Sequence, residues 1–179
     1  MLLVEVPAIE FFDEETGEFH STKPIELRME HSLVSMSKWE MRWRKPFLAT
    51  KEIRGEMLRD YFRCMTLNQH VDPIVYNALD VPTVNAITEY INSDFSATTI
   101  RDRDKRTSSK IVTTEEIYWW MFSYGIPMDC QKWHFSRLMK VLRIASIYNQ
   151  PPKKMSKREI LNQNRSLNAA RRAKMGSRG

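Results

Sequence analysis

Cys130 and His134 lie four residues apart in a helical pattern, a spacing at which two side chains on one face can share a metal ion. His20, His31, His70 and Cys64 are the residues able to complete such a site. The chain has no CxxC or HExxH pair, however, and the two side chains read as a core thiol beside a partly buried imidazole. A Cys/His nucleophilic pair is formally available. Neither an orienting third group nor a set of oxyanion donors accompanies it. The run Arg101, Asp102, Arg103, Asp104, Lys105, Arg106 offers phosphate ligands or carboxylates, but its alternating signs largely cancel, and it reads as a solvated loop. With only five glycines and no glycine-rich phosphate cradle, a nucleotide enzyme is disfavoured. No catalytic residue, metal or cofactor is expected.

The strongest compositional feature is the set Trp39, Trp43, Trp119, Trp120 and Trp133. Trp39 and Trp133 read as core fillers, since aromatic side chains dominate packing. Trp119 and Trp120 are neighbours that point about 100° apart on a helix, so one of them is expected to face a partner, another subunit or a groove. Eleven methionines fit a surface that adapts to varied apolar partners. Charge is unevenly placed. Residues 152–179 hold nine Lys/Arg and one acid (+8), whereas residues 1–151 hold 19 bases and 21 acids (−2). That tail reads in three ways: a phosphate-binding segment, an arm docking on an acidic protein surface, or a solubilising appendage. Aromatic residues are absent after Tyr148, which argues against base stacking by the tail.

These residues need elements to position them. At 179 residues with 42% hydrophobic content, the chain suits one domain with appendages. No run of about 18 apolar residues exists, so no membrane span is expected. The opening MLLVEVPAIEFF lacks a basic leader and a small-residue cleavage site, and the protein is expected in the cytoplasm. Two isolated cysteines fit reduced thiols.

Apolar and charged residues alternate in VEVPAIEFF and PIELRME, predicting a β-hairpin with a long connection through Gly17 and an edge strand at Pro7. That edge is the candidate for self-association. From Ser32, the stripe Leu33, Met36, Trp39, Trp43 predicts a helix ending before Pro46. A second helix is predicted from about Thr50 to Leu67, with Tyr61 and Met65 inward and Asp60 outward. Asp72-Pro73 and Val81-Pro82 predict two further starts.

The longest helical pattern is Thr113 to Asn149. Thr113 and Glu116 have capping-box spacing, Ile117, Trp120, Met121 and Tyr124 share a face, and Gly125 ends the helix. A second helix is predicted from Pro127 to the Pro151-Pro152 stop. A last helix from Ser156 has too narrow an apolar face (Ile160, Leu161, Leu167) to bury, so it projects or folds on binding. The expected fold is mainly α. It comprises a β-hairpin over residues 1–30, a single helical domain over 31–150 with a polar loop at 92–112, and a basic, partly disordered helical tail over 151–179.

The order of the blocks HSLVSMSKWEMRWRKPFL, YFRCMTLNQHVDPIVYNAL, SATTI, EEIYWWMFSYGIPMDCQKWHFSRLMKVLRIASIYN and PPKKMSKREILNQNRSLNAARR resembles small tail assembly chaperones of long-tailed bacteriophages, over roughly residues 30–172. The resemblance implies a non-enzymatic role: binding the long helical tape-measure protein, keeping it soluble while tail-tube subunits gather, and leaving before the particle matures. It brings no catalytic residues. Such proteins often have a longer frameshifted version, which a protein sequence does not reveal. A helix-in-groove mode suits this role, with Trp119 or Trp120, Met121 and Tyr124 in the groove and Arg171, Arg172 and Lys174 in a docking arm. Alternatives are a nucleic-acid-binding or packaging accessory using the tail, with a helix-turn-helix around Pro73 and Pro82, and a structural neck or tail connector.

Overall fold

A computed structural model describes all residues except 9, 14–16, 101–110, 150–156 and 177–179. The fold is mainly helical with a short antiparallel N-terminal sheet. Two compact units divide the chain, Met1–Ser146 and Ile147–Gly179.

The N-terminal hairpin is longer than its two predicted strands. Strands β1 (Leu2–Val6) and β4 (Ile25–Met29) pair antiparallel, and the intervening segment forms a second ladder, β2 (Glu10–Asp13) with β3 (Glu18–Ser21), turned at Gly17. Both ladders follow one register, Leu2 with Met29 and Glu10 with Ser21, which places Pro7 opposite Pro24. Two facing prolines remove both donors there, and the sheet breaks in two. Val4, Val6, Leu27 and Met29 turn inward. The other edge of β4 is closed by chain beyond the next helices: Glu30 N donates to Met65 O (2.9 Å) and Leu67 N to Arg28 O (2.8 Å).

Ser32 caps helix α1 (Leu33–Trp43) in a reciprocal box with Ser35. Its predicted stripe is buried: Leu33, Met36 and Trp39 are fully enclosed and Trp43 partly so. Helix α2 is Glu56–Met65, shorter than the predicted Thr50–Leu67. Thr50 instead closes a 3-10 turn onto Pro46, and Gly55 takes a positive φ of 55° at the helix start. Asp60, predicted outward, is buried. It takes an ion pair from Arg42 (2.8 Å) and a hydrogen bond from Trp43 Nε1 (2.9 Å), which fits the rule that buried charges are paired. Asp72 caps only a 3-10 turn, Pro73–Tyr76, too short for the first helix of a helix-turn-helix. Asp80 caps α3 (Val81–Asn92).

Helix α4 (Thr114–Ser123) starts where predicted, but not through a capping box, since Thr113 makes no side-chain cap bond. The donors are met from α1. Glu40 Oε2 accepts from Thr114 N (2.9 Å) and from the Thr114 hydroxyl, while Oε1 accepts from Phe47 N (2.8 Å). Gly125 ends the helix with φ 65°. Helix α5 is Phe135–Tyr148 and does not begin at Pro127. Residues Met128–Lys132 make a 3-10 turn, Trp133 is extended, and His134 bridges to Ser32 while Phe135 N donates to His31 O (2.7 Å). Pairing with the segment between β4 and α1 overrides the helical period. Of the 92–112 loop, Asp94 holds Lys140 (3.1 Å) and Phe95 N reaches Ser136; the charge run 101–106 lies outside the described residues.

Two clusters result. One joins the sheet to α1, α2 and α3; the other joins α4, α5 and Leu33. In the second unit, α6 (Lys157–Met175) carries no buried residue among those described.

A buried carboxylate that satisfies several donors leaves them unpaired when it is lost. Glu40→Gln is expected to cost about 2 kcal/mol and Glu40→Ala about 3 kcal/mol. Urea unfolding checks this, and a change near zero would show that water replaces the carboxylate.

Candidate partner-binding groove

Helices α4 and α5 pack through Ile117, Met121, Leu138 and Leu142, all buried. Beside this contact lies a groove of about 290 Å³ lined by Trp120, Tyr124, Met139, Leu142, Arg143 and Ser146. Its walls are thus two aromatic rings, a thioether and an aliphatic side chain, with the Arg143 and Ser146 side chains also in the lining. A hollow of this size takes one or two large apolar side chains, the footprint of neighbouring turns on an amphipathic helix.

The structure separates the residues proposed from sequence. Trp120 and Tyr124 meet in the groove. Met121 does not: it is fully enclosed in the core beneath, one helical step round from Trp120, and has no surface to offer. Trp119 is 64% exposed and Phe122 65%, so the two aromatics, three apart, form a separate apolar patch on the solvent side of α4. Adjacent tryptophans therefore serve two surfaces. Met139, Leu142 and Ser146 were missed as groove residues, because their contribution depends on how α5 packs against α4. Arg171, Arg172 and Lys174 lie on α6 in the other unit and are exposed. Trp133 packs on the second cluster under the Arg137 guanidinium, 4.4 Å from the ring centroid.

The residues that looked most chemical belong to a structural joint. His31 and His134 rings lie 5.2 Å apart. His31 Nδ1 shares a hydrogen bond with the Tyr61 hydroxyl, while His134 contacts the Ser136 hydroxyl (2.8 Å) and Tyr90 O (3.2 Å). Burial, reinforced by His134, pushes the His31 imidazole down to about 3; burial also lowers His134. Cys130 is buried in the second cluster, and burial pushes the Cys64 thiol up to about 11, away from thiolate chemistry. Among the described residues, no group of three or more His, Cys, Asp or Glu could hold a metal. No helix among them is long and apolar enough to cross a membrane.

No family model, no curated protein and no solved structure matches the chain.

Two expectations follow from these placements. Met121→Ala should cost about 2–5 kcal/mol as a core truncation, whereas Trp119→Ala should stay within about 0.5 kcal/mol; denaturant midpoints separate them, and equal losses would refute the two-surface assignment. The neutral histidines give a pH dependence of definite sign. Below about 6.5 the unfolded chain takes up protons that folded His31 refuses until about 3, so stability falls as pH drops, by up to about 1.4 kcal/mol per unit for that residue. Unfolding between pH 6.5 and 5 should show this slope, reduced in His31→Gln; an unchanged slope would remove His31 as its source.

Proposed function

We propose that this protein is a non-enzymatic tail assembly chaperone of a long-tailed bacteriophage, which binds the tape-measure protein and keeps it soluble while tail-tube subunits assemble. The observation that carries the reading is the apolar α4–α5 groove with the exposed Trp119–Phe122 patch on the same helix α4. It lies within the block whose residues resemble that family. A tape-measure chain exposes an apolar helical stripe until the tube encloses it. Masking such a stripe needs shallow, adaptable apolar contacts rather than a reaction centre, and Trp120, Tyr124 and Met139 provide these. Binding of this kind is weak per site and strengthened by repetition along a long chain, which keeps it reversible. The protein then works in the host cytoplasm and is left out of the mature virion.

A second reading is favoured by α6, whose exposed Lys157, Arg158, Arg165, Arg171, Arg172 and Lys174 suit a nucleic-acid accessory. It differs in its requirements, because binding would depend on α6 and fall steeply with salt, with the groove irrelevant.

Co-expression with the tape-measure protein of the same genome tests the first reading. Soluble tape measure should co-elute with the chain on sizing, and a Trp120→Ala/Tyr124→Ala double variant that keeps its helical signal should lose it. Insoluble tape measure despite a folded partner would overturn the reading.

A further inference from the structure

Helices α1 and α2 pack on each other, and each lends three residues to a hollow of about 580 Å³. From α1 come Lys38, Met41 and Arg42; from α2 come Asp60, Arg63 and Cys64. Both sets follow the i, i+3, i+4 pattern that gathers side chains on one face. The charges within the hollow are not balanced. Its single carboxylate, Asp60, is buried and already engaged by Arg42 (2.8 Å) and Trp43 Nε1 (2.9 Å). Lys38 and Arg63 are exposed, and their side chains form no ion pair or hydrogen bond among the described residues. Met41, an apolar side chain on the face of Lys38 and Arg42, is 77% exposed.

The cations converge on one place. Burial and the Asp60 carboxylate hold the Cys64 thiol up at about 11, against Lys38, Arg42 and Arg63, which all favour the thiolate. All three positive charges are therefore within electrostatic reach of a single sulfur, and that sulfur stays neutral and soft. Two uncompensated cations beside a thioether and a thiol fit a ligand whose carboxylates flank an apolar side chain. Nucleic acid fits less well. A phosphate backbone has no apolar group to set against Met41. The adjoining hollow, which shares Arg42, Asp60 and Arg63, adds Arg59 but also the exposed acids Glu56 and Asp72, which repel a polyanion running on past the site.

We propose that the α1–α2 hollow is a docking site for an acidic amphipathic helix of a partner protein, with its carboxylates paired to Lys38 and Arg63 and an apolar side chain between them set against Met41 and Cys64. Carboxylates four residues apart share a face of such a helix, and an apolar residue three positions from the first lies between them. Charge supplies the choice of partner, and the sulfur-lined surface adapts to the side chain it receives. The site is built on α1 and α2 and uses no residue of the α4–α5 groove, so it stands or falls separately from the tape-measure reading.

The probe is a fluorescein-labelled peptide of about 18 residues with Glu-x-x-Leu-Glu repeats on an alanine background, long enough to be helical. Its controls are a Gln-for-Glu version and a scrambled version of the same charge. Fluorescence anisotropy with the full-length chain should show saturable binding that weakens with salt and is tighter by about tenfold than for either control. Lys38→Glu/Arg63→Glu should weaken it by about tenfold or more and Met41→Ser by about threefold, whereas Arg165→Glu/Arg172→Glu in α6 should leave it unchanged. A Lys-for-Glu peptide should bind the Lys38→Glu/Arg63→Glu variant better than it binds the parent, a gain that an unfolded variant would not show. Thermal unfolding of each variant should match the parent, since the substituted side chains are exposed. Equal binding of the scrambled peptide, indifference to the Lys38/Arg63 pair, or loss with the α6 pair alone would overturn the proposal. So would double-stranded DNA whose binding is lost in Lys38→Glu/Arg63→Glu while the peptide's is kept, which would assign these cations to phosphates.

Discussion

A carboxylate taken out of water must be met by donors, and Glu40 meets three of them where two layers of the protein join. Its oxygens accept from the backbone of Phe47, just after α1, and from the backbone and hydroxyl of Thr114 at the start of α4. The negative charge lies at the positive end of the α4 dipole, which adds to its stabilisation. One side chain thus fixes the turn that ends α1 and the point where α4 begins. Everything further along α4, including which of its faces is buried, follows from that anchor. The His31–Phe135 backbone bond performs the matching task for α5.

Between these two anchors the groove is determined by helical geometry. With Ile117 and Met121 fixed inward, Trp120 and Tyr124 fall to one side of the buried stripe and Trp119 and Phe122 to the outer side. Helix α5, positioned by the bridge between His134 and Ser32 and by the Phe135–His31 backbone bond, brings Met139 and Leu142 alongside. The buried histidines and Tyr61, with the half-buried Cys64, serve this scaffold. Their shifted proton affinities arise from burial at a joint, which is a common structural cause of such shifts.

Much of the architecture was legible in local pattern. The α1 stripe, the Asp72 cap and the Gly125 stop each depend on residues within a turn or two of one another. What was illegible depended on distant partners. Asp60 read as a surface charge because its partner Trp43 is brought in only by folding, and the Glu40–Thr114 bond, which spans 74 positions, has no local signal. The break before α5 was hidden because His134 fits the helical period and its competing partner is Ser32. The second ladder was legible only in part: Glu10–Phe12 lay inside the predicted first strand, whereas the short β3 was read as connection, and the break at Pro7 and Pro24 was not foreseen. At the groove, Trp120 and Tyr124 were visible on their own helix, while the opposite wall had to await the packing of α5. Met121 shows the converse: a shared period groups residues on a face without saying which of them reaches solvent.

Amide hydrogen exchange on the full chain, free and with the tape-measure protein of its own genome, tests most directly whether the α4–α5 groove is the working surface. The account expects added protection over 119–124 and 139–146, with α2 unchanged. Protection confined to 157–175, leaving α4 and α5 as in the free protein, would contradict it.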